Sequence, residues 1–411
     1  MISYPLPKPA RILLLTALLP LLWLASARAA TVMNIEIAYM VGTHSHQPQA
    51  DEIASVVQMF ACRGITLNIV LGQAIPHSNV LLLNPTNANI FFGYSGVTNS
   101  FGYLRTKYFN HLGQSGWHFC IFGHDYASDT NGTPSGSSGL AEISGANLVV
   151  TLGSFTGQIG TPFDRAATLA HEFGHNLGLV HGAVGNFQPN KPSIMSYFYQ
   201  LQGVHTGLIA SGLTSAAASL FKEMDYSDGT MCALNESSLS EQFGSGMVPV
   251  DWNCNGSIGG TYSASIDSGS SWCGATNLSR ATLPDVNEWA IIHDTTTSLA
   301  PQNQPTRTIG CVTANEIRYY NSLIQNQLQP PVISEPCVSA RMMYLTAGAV
   351  LAGSGLCSDP YTSLVQAQTA ATTGSHLFLL PGTYTLDAGP VTLNKPMVIF
   401  CNIGTALIKL H

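Results

Sequence analysis

Charge is scarce in this chain. Of its 411 residues only 9% are Asp, Glu, Lys or Arg, while 45% are hydrophobic. The surface must therefore be built largely from Ser, Thr, Asn, Gln and Gly, and a highly charged disordered chain is excluded. The formal net charge is −7, with no basic patch or stripe, which argues against a nucleic-acid binder. Beyond the N-terminus no stretch reaches the ~18 consecutive apolar residues of a membrane span. No Ser-His-Asp arrangement, phosphate loop or internal repeat stands out before residue 345. The length suggests two or three domains at about 100–200 residues each, with ample room for a core.

What is present begins with an export signal. Lys8 and Arg11 precede Ile12 to Leu24, apolar apart from Thr16 and Pro20, and Ala27-Arg28-Ala29 follows. That is the three-part secretory pattern, and it predicts cleavage after Ala29. The run is too short for a membrane anchor, so the mature chain is expected outside the cytoplasm, extracellular or periplasmic, and off the membrane. An oxidising compartment lets cysteines pair as disulfides. Nine is an odd count, so at least one is unpaired within the chain or pairs elsewhere.

Hydrophobic patterning predicts a strand over Met33 to Val41, a helix over Ala50 to Cys62 and a strand over Ile65 to Leu71. Together they make a βαβ unit and favour a mixed α/β layer. Further strands are expected over Trp117 to Phe122 and Leu148 to Leu152, with a Gly- and Ser-rich loop, Ser128 to Gly139, between them. A helix is expected over Asp164 to Gly178, with Asp164 as N-cap and Gly178 as terminator. More helices are expected over Ser211 to Met224, Asp285 to His293 and Ala314 to Leu328. Linkers are expected over Thr295 to Arg307 and Gln329 to Pro336.

The chemistry concentrates in His171-Glu172-Phe173-Gly174-His175-Asn176-Leu177-Gly178-Leu179-Val180-His181. His171 and His175, four apart on a helix, share one face about 6 Å apart along the axis. Both ring nitrogens can then reach one ion at about 2.0–2.1 Å. Continued helix would carry His181 out of reach, so the chain must turn, and Gly178 is the residue type that can take positive φ there. Three imidazoles leave the fourth position of a tetrahedral Zn²⁺ open, as in catalytic sites. Glu172, beside the first ligand, is the natural general base.

These eleven residues match HExxHxxGxxH, and the chain resembles the metzincin zinc proteases. That family also has a methionine turn downstream, which Ser193-Ile194-Met195-Ser196-Tyr197 resembles. The resemblance implies that Met195 floors the three imidazoles and that Tyr197 approaches the metal and helps stabilise the oxyanion. It implies an α+β catalytic domain over residues 30–300, with an α/β-like upper subdomain to about 178 and a lower subdomain over 179–300. A protein or peptide substrate would lie between them, paired with an edge strand around Gly139 to Ser144. Phe198 to Val204 would wall its pocket. Gly182, after the third ligand, matches none of the best-known metzincin groups. Asn186 to Tyr197 and Asp225-Tyr226-Ser227 resemble secreted bacterial metzincins. About three residues separate the cleavage site from the first strand, so cysteine-switch latency is not expected.

Weaker signals remain. Asp251, Asn253 and Asn255, then Gly256 and Ser257, have the spacing of a Ca²⁺ loop, with Tyr262 where the bidentate Glu would stand and Asp267 as its possible substitute. A plain Asx-rich turn fits the same residues. His44 and His46 flank one residue, a spacing that can bind metal on a strand, and His124-Asp125 could join a second ion site. Exposed histidines near a strand end are commoner. After a linker with a helix (301–344), residues 345–411 resemble the capping helix and first rungs of a right-handed parallel β-helix. With so few rungs, the chain is expected to be a piece of a longer protein. The functional expectation is a secreted zinc endopeptidase. The alternatives are an adhesive or carbohydrate-active β-helix protein with an accessory metzincin domain, and a catalytically silent binding module on that scaffold.

Overall fold

The computed structural model describes residues 31–83, 91, 96–129, 131–182, 185–204, 224–229, 231–244, 250–267 and 281–296, with shorter segments at 308–310, 342–345, 361–371, 375–379, 382–385, 397–400 and 406–409. The expected signal peptide and the expected helix Ala314 to Leu328 lie outside the described residues. So do the linker Gln329 to Pro336 and all but the last residue of Ser211 to Met224.

The first βαβ unit forms where the patterning places it. β1 (Thr31–Val41) and β2 (Ile65–Pro76) pair in parallel around α1 (Ala50–Ala61). Val56, Met59 and Phe60 face inward, and Gln49 and Glu52 close a capping box at the start of α1. Next come β3 (Leu81–Leu82), α2 (Phe101–Tyr108), β4 (Trp117–Gly123), β5 (Tyr126–Ala127), β6 (Gly139–Glu142), β7 (Asn147–Thr151) and α3 (Pro162–Asn176). The lower region carries β8 (Leu234–Asn235), β9 (Leu239–Ser240), β10 (Thr261–Tyr262), β11 (Thr282–Leu283) and α4 (Glu288–Thr296). Then β12 (Thr308–Gly310) returns to the central sheet.

That sheet runs β12-β6-β7-β4-β1-β2. Strands β1, β2, β4 and β7 are parallel, whereas β6 is antiparallel to both β7 and β12. Successive side chains point to opposite faces of a strand, and the sheet is covered on both. Cys120, Phe122, Leu148 and Val150 pack beneath α1 and α3 with Phe60, Leu169 and Phe173. Phe119, Ile121 and Val149 face the other way, against Phe91, Phe101 and Phe109.

The α3 boundary differs from expectation by one turn. Thr161, not Asp164, is the N-cap: its side chain accepts from the Asp164 amide while the Asp164 carboxylate accepts from the Thr161 amide. Pro162 at the first helical position fixes φ and fills a site that needs no N–H donor.

Near the C-terminus, α5 (Leu364–Ala370) precedes short parallel pairings. β14 (Ser375–Leu379) pairs with β13 (Met342–Leu345) and β16 (Met397–Phe400), and β15 (Gly382–Thr385) pairs with β17 (Ala406–Lys409). Among the described residues no helix is long and apolar enough to cross a membrane.

Candidate metal centre

α3 is buried along almost its whole length, and it carries His171, Glu172 and His175 under the sheet with no exposed surface. Leu177 ends the helix. Gly178 then takes φ +94°, the left-handed conformation expected of it, and the chain turns back to bring His181 to the other two imidazoles. The three Nε2 atoms lie 3.0, 3.1 and 3.2 Å apart. Ligands at 2.0–2.1 Å on a tetrahedral ion would stand about 3.3–3.4 Å apart.

Each ring's far nitrogen meets an oxygen. His171 Nδ1 lies 2.6 Å from the Ile194 carbonyl, His175 Nδ1 2.8 Å from the Leu179 carbonyl, and His181 Nδ1 3.0 Å from Asn186 Oδ1. A carbonyl can only accept, so Nδ1 carries the proton and Nε2 presents a bare lone pair. Three lone pairs aimed at one another repel unless a cation stands between them. The donor set therefore fits a zinc-class ion held by three imidazoles. Burial, ahead of the neighbouring imidazoles, holds His171 and His175 well below the ordinary histidine range. Burial likewise brings His181 down to about 3. All three are neutral near pH 7, the form a ligand needs.

The Met195 turn packs against α3. Met195 is fully buried, and a Cβ on Gly174 would come 2.6 Å from its sulfur. The Ile194 amide donates to the Asp225 carbonyl, and the Tyr226 hydroxyl donates to the Ala170 carbonyl. Those two bonds tie the turn to its neighbour and the neighbour to α3. The Tyr197 ring centroid is 4.3 Å from that of His181 and 6.1 Å from that of His171. Glu172 reaches toward β6, where a Cβ on Gly139 would lie 2.1 Å from Glu172 Oε1.

Two supports were missed by the sequence reading. Asn186 orients His181, and Lys191, buried, donates to the Val180 and His181 carbonyls while pairing with Glu288 at 2.6 Å. Neither has a spacing signature, because each reaches the site along an irregular loop.

Other expectations fare differently. β6 is not the sheet edge: Thr308–Gly310 pairs on it antiparallel and satisfies the backbone groups offered there to a substrate strand. Phe198, Tyr199, Leu201 and Val204 are buried rather than lining a groove; the first three pack with Phe163 and Phe187. In the loop at 251–257, Asp251 accepts from the Asn255 and Gly256 amides, Asn253 from Asn255, and Asn255 from Ser257. These are Asx-turn bonds. Asp267 packs against Gly185 and interacts with Glu236, while the carboxylate serving the 251–257 loop is Glu241. Cys62 caps the end of α1, and Cys120 is a fully buried thiol.

No protein-family model and no curated protein matches the chain. Among solved structures, the archaemetzincin from Methanopyrus kandleri is similar over 39% of this chain and 82% of that one, at 14% identity and a TM-score of 0.25. So loose a superposition assigns neither fold nor function, and the imidazole geometry is what bears on chemistry.

Proposed function

We propose that the chain is an exported zinc-dependent endopeptidase of the metzincin kind, with His171, His175 and His181 as ligands. The supporting observation is the convergence of three Nε2 lone pairs within 3.2 Å, each imidazole held by an oxygen behind it. A zinc ion held there supplies a Lewis acid and lowers the pKa of bound water to about 7.

Glu172 accepts a proton from the attacking water on a carboxylate oxygen and returns it to the departing amine nitrogen. Tyr197, against the His181 ring, donates its phenolic O–H to the oxygen on which charge develops. Gly178 and Met195 hold the ligand geometry. A substrate strand that uses β6 displaces β12 first. Export removes residues 1–29, so the mature chain begins at Ala30.

The test is Glu172→Ala, assayed on casein or gelatin with metal content measured in parallel. The account predicts unchanged zinc and nearly complete loss of cleavage. Full cleavage by the variant removes Glu172 from its role.

A further inference from the structure

We propose that the chain holds a second divalent transition-metal ion, in a four-imidazole site formed by His44, His46, His77 and His124. These residues come from three segments, and the topology brings them to one place. His44 and His46 follow β1, His77 follows β2 and His124 follows β4. β2 and β4 flank β1 in parallel on opposite sides. The chain leaves β1 for β2 on one side and leaves β4 for β6 and β7 on the other, which opens a crevice at the strands' C-terminal ends, where open α/β sheets bind ligands.

All six ring pairs have centroids 4.7–5.5 Å apart, the spacing seen among His171, His175 and His181, at 4.7–5.1 Å. One nitrogen from each of the four lies within 4.8 Å of the others, and His44 Nε2 and His124 Nδ1 are 3.1 Å apart. Small ring rotations would bring all four to one ion at about 2.0–2.1 Å.

The backbone fixes this cluster. The His46 amide donates to the Met40 carbonyl, the His77 amide to Val41, and the His124 carbonyl accepts from Gly153. Two glycines leave the room: a Cβ on Gly42 would lie 2.5 Å from His77 Cβ, and one on Gly153 2.6 Å from the His124 ring. Asp125, next in sequence, accepts from the Tyr126 and Gly136 amides and the Ser135 and Ser154 hydroxyls, fixing the loop beside His124. Thr43 Oγ1 stands 3.2 Å from His44 Nδ1, the outer partner that leaves Nε2 for an ion.

Two ring nitrogens, His46 Nε2 and His77 Nε2, are buried with no hydrogen-bond partner among the described residues. An unsatisfied buried polar atom is destabilising, and a shared cation would relieve both at once. Imidazole-only donors suit zinc, copper or nickel rather than calcium or magnesium. Four protein ligands close a tetrahedral shell, so the ion is structural and clasps the ends of β1, β2 and β4.

The test is titration of the full chain, stripped with chelator, by Co²⁺, reading stoichiometry and visible absorption. The wild type should take two equivalents. The double variant H44N/H77N should take one and keep the absorption of the three-histidine centre. The double variant H171N/H175N decides the matter without touching the cluster: one equivalent supports the second site, and none overturns it. Two equivalents in a folded H44N/H77N would overturn it as well. The Glu172→Ala assay is unaffected by either result, so this site and the peptidase reading fail separately.

Discussion

Gly139 shows how tightly residues around Glu172 are fitted. A Cβ there would lie 2.1 Å from Glu172 Oε1 and 2.6 Å from the Val149 carbonyl, and the backbone oxygen cannot swing away. Gly139→Ala must therefore displace the carboxylate. A misplacement of about 1 Å can cost on the order of 10²-fold in rate. The expected result is a kcat/KM lowered by about that factor with zinc content unchanged; a wild-type rate would show that Glu172 tolerates displacement. At this scale the ligands were legible because helix geometry alone puts His171 and His175 on one face and makes a turn at Gly178 necessary. The residues that hold those ligands were not. Asn186 and the Ile194 carbonyl reach the imidazoles, and Lys191 the Val180 and His181 carbonyls, along loops whose path has no periodicity.

Between elements, one buried ion pair joins the two helices on the inner face of the sheet. Arg165 on α3 meets the Glu52 carboxylate on α1 through two guanidinium nitrogens, and also donates to the Gly160 carbonyl at 2.8 Å. Glu52 accepts from the Gln49 amide as well. Removing one partner of a buried pair costs about 3–5 kcal/mol, because the other charge is left uncompensated. Arg165→Ala should lower unfolding free energy by that amount in urea; a loss under about 1 kcal/mol, the worth of an exposed pair, would place the contact at the surface. The helices themselves were readable from period and breakers. Thr161 was missed as a cap because Asp164 is also a good cap residue; Pro162 and the reciprocal capping box decide for Thr161. β12 was missed because three residues inside an expected linker have no pattern, and only its pairing with β6 makes it a strand.

For the molecule as a whole, the half-buried Asp285 carboxylate sets a pH response. Burial raises Asp285 from 3.8 to about 7, with Glu288 and Asp228 adding to the rise, although the Ser227 hydroxyl and Met231 amide bond to it. The folded chain thus keeps a proton that the unfolded chain releases. Stability from this group is full below about pH 3.8 and is lost as pH rises to about 7. Chemical denaturation from pH 4 to 8 should show Asp285→Asn gaining on wild type up to about pH 7 and running parallel above it; a constant difference across the range would mean that the carboxyl titrates normally. The mixed, mostly parallel sheet followed from the first βαβ unit and the later apolar runs, while the pairing of β6 with β12 depended on contacts between distant segments. The central claim, one ion gripped by residues 171, 175 and 181 and used to cut peptide bonds, is tested most directly by digesting a peptide library with the chain before chelation, after it, and after zinc is returned. Cleavage that stops with chelator and resumes with zinc is the predicted result; cleavage indifferent to chelator, or none by the zinc-loaded chain, would contradict it.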